Sequence, residues 1–165
     1  MQVITETSRL KLVEVTKADC DLIFKLTGNE KVMKYFPSVL SYDETREMIQ
    51  KILNQYTEYG YCFWKVLLKP DDQFVGIAGL LHQDIDNVPE AEISYRILPE
   101  HWNKGYGTEA AKACKKHAEI ELGKNRLISL IHPQNDASIR VASKLGAEKS
   151  RSVDFMGEKH DVYVY

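Results

Sequence analysis

The spacing of hydrophobic and polar residues changes along the chain and predicts an alternation of strands and helices. Residues 10–15 and 91–98 alternate between apolar and polar side chains, as half-buried strands do, whereas apolar residues recur at helical spacing over 108–122. Helices are predicted to begin after Thr16, after Ser41, at Thr108 and at Asp136. Strands are predicted at 10–15, 61–68, 74–81, 91–98, 127–131, 149–154 and 161–165.

The resulting order, β-α-α-β-β-β-α-β-α-β-β, predicts a mixed sheet of about seven strands with helices on both faces. Consecutive strands in the middle of the chain favour an antiparallel meander, and helices between the later strands favour parallel neighbours. No internal repeat and no linker divides the sequence. We therefore expect an α/β protein with a mixed α+β sheet and a single domain over residues 1–165.

Composition and charge narrow the function classes. The chain has 22 basic and 24 acidic side chains and a formal net charge of -2, which argues against a nucleic-acid-binding protein. The three cysteines share no metal-ligand or disulfide spacing, and no apolar run is long enough to cross a bilayer. The first residues lack the pattern of a signal peptide, so we expect a cytoplasmic protein.

A second polar pattern, His82, Asp84 and Asp86, alternates as metal ligands can. No fourth ligand with a recognised spacing accompanies these residues. We interpret the stretch as a polar hairpin turn, and we expect no metal.

The stretch 97–111 carries the clearest chemical pattern of the sequence. A predicted strand ends at Leu98, a loop with Gly105 and Gly107 follows, and a helix begins within it. Backbone N–H groups at a helix start lack internal partners and lie at the positive end of the helix dipole. Because glycines let a phosphate approach the backbone and Lys104 adds positive charge, the stretch predicts a cradle for a phosphate-bearing cofactor.

Residues 105–110 also fit the dinucleotide-binding pattern GxGxxA, but the surrounding sequence does not. In that motif the first glycine follows its strand directly, whereas six residues separate Gly105 from Leu98. An acidic residue is expected about twenty positions later, at the end of the next strand, where this sequence has His132 and Pro133. A nicotinamide or flavin enzyme is therefore disfavoured.

Residues 102–111, Trp-Asn-Lys-Gly-Tyr-Gly-Thr-Glu-Ala-Ala, resemble the acetyl-CoA signature of the GNAT superfamily of N-acetyltransferases. Within that superfamily the chain resembles the branch that acetylates the N-termini of ribosomal proteins. Three further stretches, 7–12, 30–37 and 135–146, agree with that branch in order and spacing, so the resemblance covers nearly the whole chain. It implies the GNAT fold, in which a central mixed sheet splays apart beside the cofactor.

The resemblance also implies how the chain binds acetyl-CoA. The strand end at Ile97 and Leu98 is expected to expose main-chain groups to the pantetheine arm, and the N–H groups of 103–108 to hold the diphosphate. Asn135 is expected to bind the pantetheine, and Ser138 to lie near the thioester sulfur. The implied cofactor-binding set is Ile97, Leu98, Trp102, Asn103, Lys104, Gly105, Tyr106, Gly107, Thr108, Asn135, Ser138, Arg140 and Lys144.

Two members of this set have an open interpretation. Arg140 and Lys144, one helical turn apart, either contact the ribose 3′-phosphate or form a solvated basic face. Trp102 either packs under the cofactor loop or belongs to the surrounding structure.

An attacking amine must be neutral, which sets the demand on a catalytic base. A polyamine nitrogen costs about 4–5 kcal/mol to deprotonate at pH 7, and an N-terminal α-amine only about 1 kcal/mol. Glu92 is the candidate base, because it lies on the strand face opposite Ala91 and Ile93, beside the expected cleft. A solvated glutamate, or one paired with Arg96, is the structural alternative. Asp154, on the penultimate strand, is the alternative base.

The general acid is left open by a departure from the family pattern. Many members of the superfamily carry a tyrosine in the second cofactor motif, where this sequence has Ala142. Ser138 as the catalytic acid, an ordered water, or no acid at all remain as alternatives. Because a free thiol has a pKa of about 8.5, the leaving thiolate needs little help at neutral pH.

Together these observations predict an acetyl-CoA-dependent N-acetyltransferase in which an amine attacks the thioester directly. A protein N-terminal α-amine is the expected acceptor. A small amine such as a polyamine or an aminoglycoside, and a non-catalytic acyl-CoA-binding module, are the alternatives. The acceptor pocket is expected between the loop 28–40 and the final strands. We expect no direct nucleic-acid or membrane partner, and both a monomer and a homodimer stay open.

Overall fold

The chain folds into eight strands and four α-helices, and the computed structural model describes all of residues 1–165. The strands are β1 (Val3–Glu6), β2 (Leu10–Glu14), β3 (Phe63–Leu68), β4 (Phe74–Ile85), β5 (Val88–Ile97), β6 (Ile128–Ile131), β7 (Glu148–Phe155) and β8 (Glu158–Val164). The helices are α1 (Cys20–Thr27), α2 (Tyr42–Tyr59), α3 (Tyr106–Ile120) and α4 (Asp136–Lys144), with short 3-10 helices at Lys17–Asp19 and Pro99–His101. None of these helices combines the length and apolar character that a bilayer crossing requires.

All the strands form one mixed sheet in the order β1-β2-β3-β4-β5-β6-β8-β7. Neighbouring strands are antiparallel except β5 and β6, which are parallel. The predicted fold class is confirmed, but the number of strands is eight rather than seven. The missed strand is β1, a short edge strand without a buried residue, so its sequence shows little of the alternation that marks a half-buried strand.

The hairpin of β4 and β5 is longer than the sequence pattern predicts. Only Asp86 and Asn87 separate the two strands, and their φ angles are 51° and 65°. Two left-handed residues are what a tight type I′ hairpin turn requires. The expected polar turn is therefore right for Asp86 but wrong for His82 and Asp84, which belong to β4.

Helices cover both faces of the sheet. On one face, α1 and α2 pack through residues such as Ile23 and Ile49 against the strands of the N-terminal half. On the other face, α3 buries a stripe of small side chains that includes Ala110, Cys114 and Ala118. Small side chains let a helix lie close to a sheet, and α3 packs directly on β4 and β5. This packing fixes the start of α3 beside the end of β5.

The residues that predicted two helix starts form the expected caps. Ser41 Oγ accepts the N–H of Glu44 at 3.1 Å, and Glu44 Oε1 accepts the N–H of Ser41 at 3.0 Å. The N–H of Thr16 likewise donates to Asp19 Oδ2 at 2.7 Å. The element that begins after Thr16 is a 3-10 turn, Lys17–Asp19, which leads into α1.

Candidate active site

A cavity of about 720 Å³ lies between β5, β6, the start of α3, α4 and the loop that follows α1. Most of the residues that the sequence assigned to the site line it. They are Glu92, Ile97, Trp102, Asn103, Gly105, Tyr106, Gly107, Thr108, Asn135, Ser138, Arg140 and Lys144. Leu98, Lys104 and Asp154 do not line it. The fold thus brings one strand end, one helix start and α4 together around a single space.

The cavity exists because β5 and β6 separate. These parallel strands share one register pair, Glu92 with Ile128. Beyond that pair, the N–H of Leu130 on β6 donates to the carboxylate of Glu92 at 3.0 Å. A side chain of β5, rather than a backbone carbonyl of β5, therefore accepts this hydrogen bond. The cleft then widens toward Ile97 at the end of β5.

The end of β5 turns main-chain groups toward the cleft at alternate residues. Leu98 donates its N–H to the carbonyl of Val75 on β4 at 2.9 Å, so its amide faces away from the cleft. Ile97 faces the cleft, and its carbonyl accepts the indole N–H of Trp102 at 2.7 Å. The same alternation turns the main chain of Tyr95, which the sequence did not single out, toward the cleft. Of the expected pair, Ile97 is placed at the cavity and Leu98 is not.

The loop between β5 and α3 has the backbone geometry of an anion cradle. Gly105 is the N-cap of α3 and has a left-handed φ of 81°, and Asn103 has a φ of 61°. The first N–H groups of α3 have no helical carbonyl to bond, and this turn lines the cavity. A side chain at Gly107 would place its Cβ 3.1 Å from the ring of Tyr95, so glycine keeps the cradle open. These features fit a diphosphate group.

Arg9 holds this loop from outside the cavity. Its Nη1 donates to the carbonyl of Lys104 at 2.9 Å, and its guanidinium lies 4.6 Å from the centroid of the Tyr106 ring. Arg9 Nε pairs with Glu109 Oε2 at 2.7 Å, and Thr7 Oγ1 donates to Glu109 Oε1 at 2.5 Å. Burial alone would raise the pKa of Glu109, but the hydrogen bonds from Thr7 and Arg9 lower it below its ordinary value. Lys104 therefore contributes its carbonyl to this support rather than its ammonium group to the cavity.

The start of α4 carries the second group of expected cofactor residues. Asn135 is the N-cap of α4, and its Oδ1 accepts the N–H of Ser138 at 3.3 Å. This bond uses the oxygen of the side-chain amide and leaves its nitrogen available. The hydroxyl of Tyr95 lies 3.4 Å from Ser138 Oγ, and burial raises the pKa of Tyr95, so the phenol keeps its proton at neutral pH. Ala142 is buried against Ile131 and serves only the core. Tyr95 and Ser138 therefore place two neighbouring hydroxyl groups on the cavity.

Arg140 and Lys144 lie one turn apart on α4, and both are exposed along the cavity. Their two positive charges therefore border the cavity on a face that is also open to solvent.

Glu92 is buried at the point where β5 and β6 separate. Its side chain accepts a hydrogen bond from Gln83 Nε2 at 3.1 Å as well as the one from Leu130. Burial raises the pKa of the carboxyl group to about 7, although these hydrogen bonds and the charge of Arg96 act in the opposite direction. A carboxyl group with a pKa close to physiological pH can both accept and return a proton.

The alternative base, Asp154, lies elsewhere. It is exposed on β7, opposite Lys159 of β8, and β8 stands between β7 and β6. Of the two carboxylates that the sequence proposed as bases, the structure brings only Glu92 into the cavity.

A second side of the cavity is formed by the loop after α1. Tyr35 and Phe36 of this loop line the cavity, as the expected acceptor pocket at 28–40 requires. Facing them on β5 is Arg96, whose guanidinium lies 4.2 Å from the centroid of the Phe36 ring. The final strands contribute only Tyr165, which follows β8. This side of the cavity is therefore aromatic and basic.

Comparison with known proteins identifies the family. A family model described as "Acetyltransferase (GNAT) domain" matches residues 9–148. The protein YkkB of Bacillus subtilis (strain 168) is 33% identical over 148 residues, which cover 89% of this chain and 86% of YkkB. The chain therefore belongs to the GNAT acetyltransferase family, whose members transfer an acetyl group from acetyl-CoA to amines.

More distant relatives are found by sequence and by structure. Spermidine N(1)-acetyltransferase of Escherichia coli (strain K12) is 24% identical over 140 residues, which cover 83% of this chain and 72% of that enzyme. A GnaT-family acetyltransferase from Bordetella pertussis has a TM-score of 0.85 at 22% identity, with 99% of both chains covered. RimL, a ribosomal L7/L12 alpha-N-protein acetyltransferase solved in complex with coenzyme A, has a TM-score of 0.75 at 19% identity, covering 99% of this chain and 96% of that chain. At these identities the two structures show the common GNAT fold.

Proposed function

We propose that this chain acts in the cytoplasm as a single domain over residues 1–165 and acetylates a protein N-terminal α-amine with acetyl-CoA. The observation that carries the proposal is Glu92, a buried carboxyl group with a pKa of about 7 where β5 and β6 separate. An α-amine costs only about 1 kcal/mol to deprotonate at neutral pH, so a base of this strength is sufficient. RimL, which shares the fold, is named as an enzyme that acetylates an α-amine of a protein.

Acetyl-CoA supplies the activated acetyl group, and the residues along the cavity are those that we assign to its binding. The N–H groups of 103–108 hold the diphosphate, in the cradle that Gly107 keeps open. Main-chain groups of Ile97 and the amide nitrogen of Asn135 bind the pantetheine arm. Arg140 and Lys144 are the available partners of the outermost phosphate.

The reaction that this arrangement supports is a direct displacement. Glu92 accepts a proton from the acceptor amine, directly or through a water, as the amine nitrogen bonds to the acetyl carbon. Tyr95 or Ser138, whose hydroxyl oxygens lie 3.4 Å apart, then protonates the sulfur as the carbon–sulfur bond breaks. The donor hydroxyl regains its proton from solvent, and Glu92 releases its own. No residue needs to form a covalent intermediate.

A small amine is the second candidate acceptor, because a spermidine acetyltransferase is among the relatives. A polyamine nitrogen costs about 4–5 kcal/mol to deprotonate at pH 7. Arg96, on the β5 wall opposite Tyr35 and Phe36, also carries a positive charge. Lys31 and Lys34 add two more positive charges to the cavity from the loop after α1. These charges oppose a polycation, so we favour the α-amine.

The test is a thiol-release assay with acetyl-CoA and three classes of acceptor. These are peptides with a free N-terminus, the same peptides with a blocked N-terminus and an internal lysine, and the small amines spermidine and an aminoglycoside. We expect turnover with the free α-amine peptides, and mass spectrometry should place the acetyl group on the N-terminus. Turnover confined to the small amines would contradict the proposed acceptor.

Substitution of Glu92 tests whether the site is catalytic. Glu92→Gln should lower kcat by about 10²-fold or more while acetyl-CoA still binds in a calorimetric titration. Glu148→Gln, an exposed carboxylate on β7, is the matched control and should behave as the wild type. Unchanged turnover in Glu92→Gln would remove Glu92 as the base. Cofactor binding by the wild type without turnover on any amine would indicate an acyl-CoA-binding module instead.

A further inference from the structure

Arg96 is a cation in the cavity wall that forms no salt bridge, although the charge of Glu92, four residues earlier on β5, acts on its pKa. Its Nη1 has a long contact of 3.6 Å to the sulfur of Met33, and its Nε is buried without any hydrogen-bond partner. Burial lowers the pKa of Arg96 to about 10, which leaves the group charged at neutral pH. The guanidinium is instead held between aromatic rings, 4.2 Å from the centroid of Phe36 and 5.4 Å from that of Phe63.

Such an arrangement is costly unless a further group completes it. A buried charge is normally paired with an opposite charge or satisfied by hydrogen bonds. Contacts with aromatic faces offset only part of that cost. A guanidinium offers a planar fork of donors that matches the two oxygens of a carboxylate. Because Arg96 lines the cavity, an acceptor can bring that carboxylate to it.

The surrounding charges agree with an anionic partner. Lys31 and Lys34, on the loop after α1, line the same side of the cavity. The acidic residues of the lining are Glu92, whose carboxyl group already accepts two hydrogen bonds, and Asp136 in the first turn of α4. An acceptor with negative charge beyond its amine is therefore favoured over a polycation.

We propose that Arg96 binds a carboxylate of the acceptor, so the preferred acceptors are proteins with an acidic residue close to the N-terminus. This inference rests on the proposed function. Glu92 and Arg96 lie on the same face of β5, four residues and roughly 13 Å apart along the strand. That separation suits a carboxylate several bonds from the amine, as in the side chain of a second or third residue. The α-carboxylate of a free amino acid lies too close to its own amine to contact both groups.

The test compares matched acceptor peptides that differ only in charge. Peptides that begin Ser-Glu and Ser-Ser-Glu are paired with Ser-Gln and Ser-Ser-Gln, and free serine and glutamate form a separate arm. We expect the wild type to prefer a glutamate peptide by tenfold or more in kcat/KM. A charge-assisted hydrogen bond contributes about 1.5–3 kcal/mol, which corresponds to a factor of this size. Arg96→Gln should reduce that preference, taken as the ratio of kcat/KM for the glutamate and glutamine peptides measured on the same variant, to about one. Arg96→Lys, which keeps the charge but loses the fork, should retain part of the preference.

Controls separate recognition from folding. Arg46→Gln, an exposed arginine on α2 outside the cavity, should leave the preference unchanged. Thermal unfolding and acetyl-CoA calorimetry show whether each variant is folded. Should Arg96→Gln fail to fold, the wild-type peptide ratios and Arg96→Lys still decide the question. Equal rates with glutamate and glutamine peptides, or a preference that survives in Arg96→Gln, would overturn the inference.

The arms also separate this inference from the proposed function. One outcome is that free glutamate is acetylated and no peptide is, and that this activity is lost in Arg96→Gln. It would contradict a protein acceptor and support carboxylate binding by Arg96. Acetylation of all free N-termini without regard to charge would uphold the protein acceptor and remove the role of Arg96. Spermidine as the best acceptor would overturn both.

Discussion

Arg9 and Glu109 are joined across 100 positions of sequence by an ion pair of 2.7 Å between Nε and Oε2. The N–H of Arg9 also donates to Glu109 Oε1 at 3.0 Å, so both the main chain and the side chain of Arg9 bind a residue in the first turn of α3. A partly exposed ion pair by itself is worth less than about 1 kcal/mol. Its effect here is to fix the position of the loop whose N–H groups form the anion cradle.

Loss of Arg9 should therefore weaken cofactor binding more than it slows turnover. Arg9→Ala is expected to raise the Kd of acetyl-CoA about 3- to 10-fold, because one or two hydrogen bonds to the loop are lost. The kcat at saturating acetyl-CoA should change less than twofold. Calorimetry and steady-state kinetics give the two quantities, with Arg46→Ala as the control. A lowered kcat at unchanged Kd would show that Arg9 does not act through the cradle.

The pKa of Glu92 predicts a limb in the pH profile. The proposed base works when deprotonated, so Glu92 by itself should lower kcat/KM for a peptide about tenfold per pH unit below pH 7. The acceptor α-amine must be neutral, so it adds a second acidic limb below about pH 8, and the two limbs together give a fall of about a hundredfold per pH unit below pH 7. Stopped assays between pH 5 and pH 9 measure both. The residual activity of Glu92→Gln should keep the second limb and lose the first, and a first limb that persists would belong to another group.

The same pKa predicts a change in stability with pH. In the folded chain Glu92 holds its proton up to a pKa of about 7, whereas an unfolded glutamate releases it near the ordinary value of 4.5. Between these values the folded state binds more protons, so the free energy of unfolding decreases as the pH rises. The decrease due to this group is about 3 kcal/mol at 1.36 kcal/mol per pKa unit.

Urea unfolding at pH 4.5 and pH 8 measures this difference. The free energy of unfolding of Glu92→Gln should vary with pH by about 3 kcal/mol less than that of the wild type. Comparing the change with pH, rather than the absolute stability, removes any constant effect of the substitution. An identical pH dependence in the two proteins would show that the carboxyl group is not shifted upward.

Tyr95 is expected to support the departure of the thiolate. Tyr95→Phe removes the hydroxyl group near Ser138 and keeps the ring against Gly107. We expect kcat to fall about tenfold, which is less than the usual effect of losing a general acid, because the thiolate is already a good leaving group. The Kd of acetyl-CoA should stay within about twofold of the wild type. Tyr163→Phe, a buried tyrosine outside the cavity, is the matched control. Equal kcat values for Tyr95→Phe and the wild type would assign the proton to Ser138 or to solvent.

Gly107 tests the cradle without changing any charge. A Cβ at this position would lie 3.1 Å from the ring of Tyr95, and the ring or the helix start must shift to accommodate it. Gly107→Ala should therefore weaken acetyl-CoA binding about tenfold or more, a loss of about 1.4 kcal/mol. Gly123→Ala, which meets no atom within 4 Å but lies at a φ of 62°, should cost stability and leave the Kd unchanged. An unchanged Kd in Gly107→Ala together with a raised Kd in Gly123→Ala would place the diphosphate elsewhere.

The sequence predicted those parts of the site that depend on local order along the chain. The strand end, the glycine loop and the helix start all follow one another within 97–111, so their contact with one ligand can be inferred from spacing. Asn135 and Ser138 came from the family resemblance, and the structure places them on the same cavity. Strand β1 escaped notice because an exposed edge strand carries no hydrophobic period.

Residues whose role depends on the partner across the fold could not be found in this way. The alternation along β5 placed Tyr95 with the core residues, and its contact with Ser138 spans 43 positions. The sequence named Arg96 only as a possible partner of Glu92, because the contact of its guanidinium with the Phe36 ring joins β5 to a loop sixty positions earlier in the chain. The expectation that the penultimate strand borders the cleft, on which the candidacy of Asp154 rests, is wrong, because the strand order β6-β8-β7 places β7 at the edge of the sheet.

The contact between β5 and β6 has a mechanical consequence. The strands share one register pair, Glu92 and Ile128, and the side-chain hydrogen bonds between them lie next to that pair, from Leu130 N–H to Glu92 and from Ser129 Oγ to the carbonyl of Ile93. A small rotation about this point would therefore move the Ile97 end of the cleft most and the Glu92 end least. Beyond the pair, the tip of the β4–β5 hairpin is fastened to β7 by the ion pair of Asp86 and Arg151, at 2.6 Å. The pivot thus coincides with the proposed base, so an opening of the cleft at the Ile97 end that admits a bulky nucleotide would leave the distances around Glu92 nearly constant.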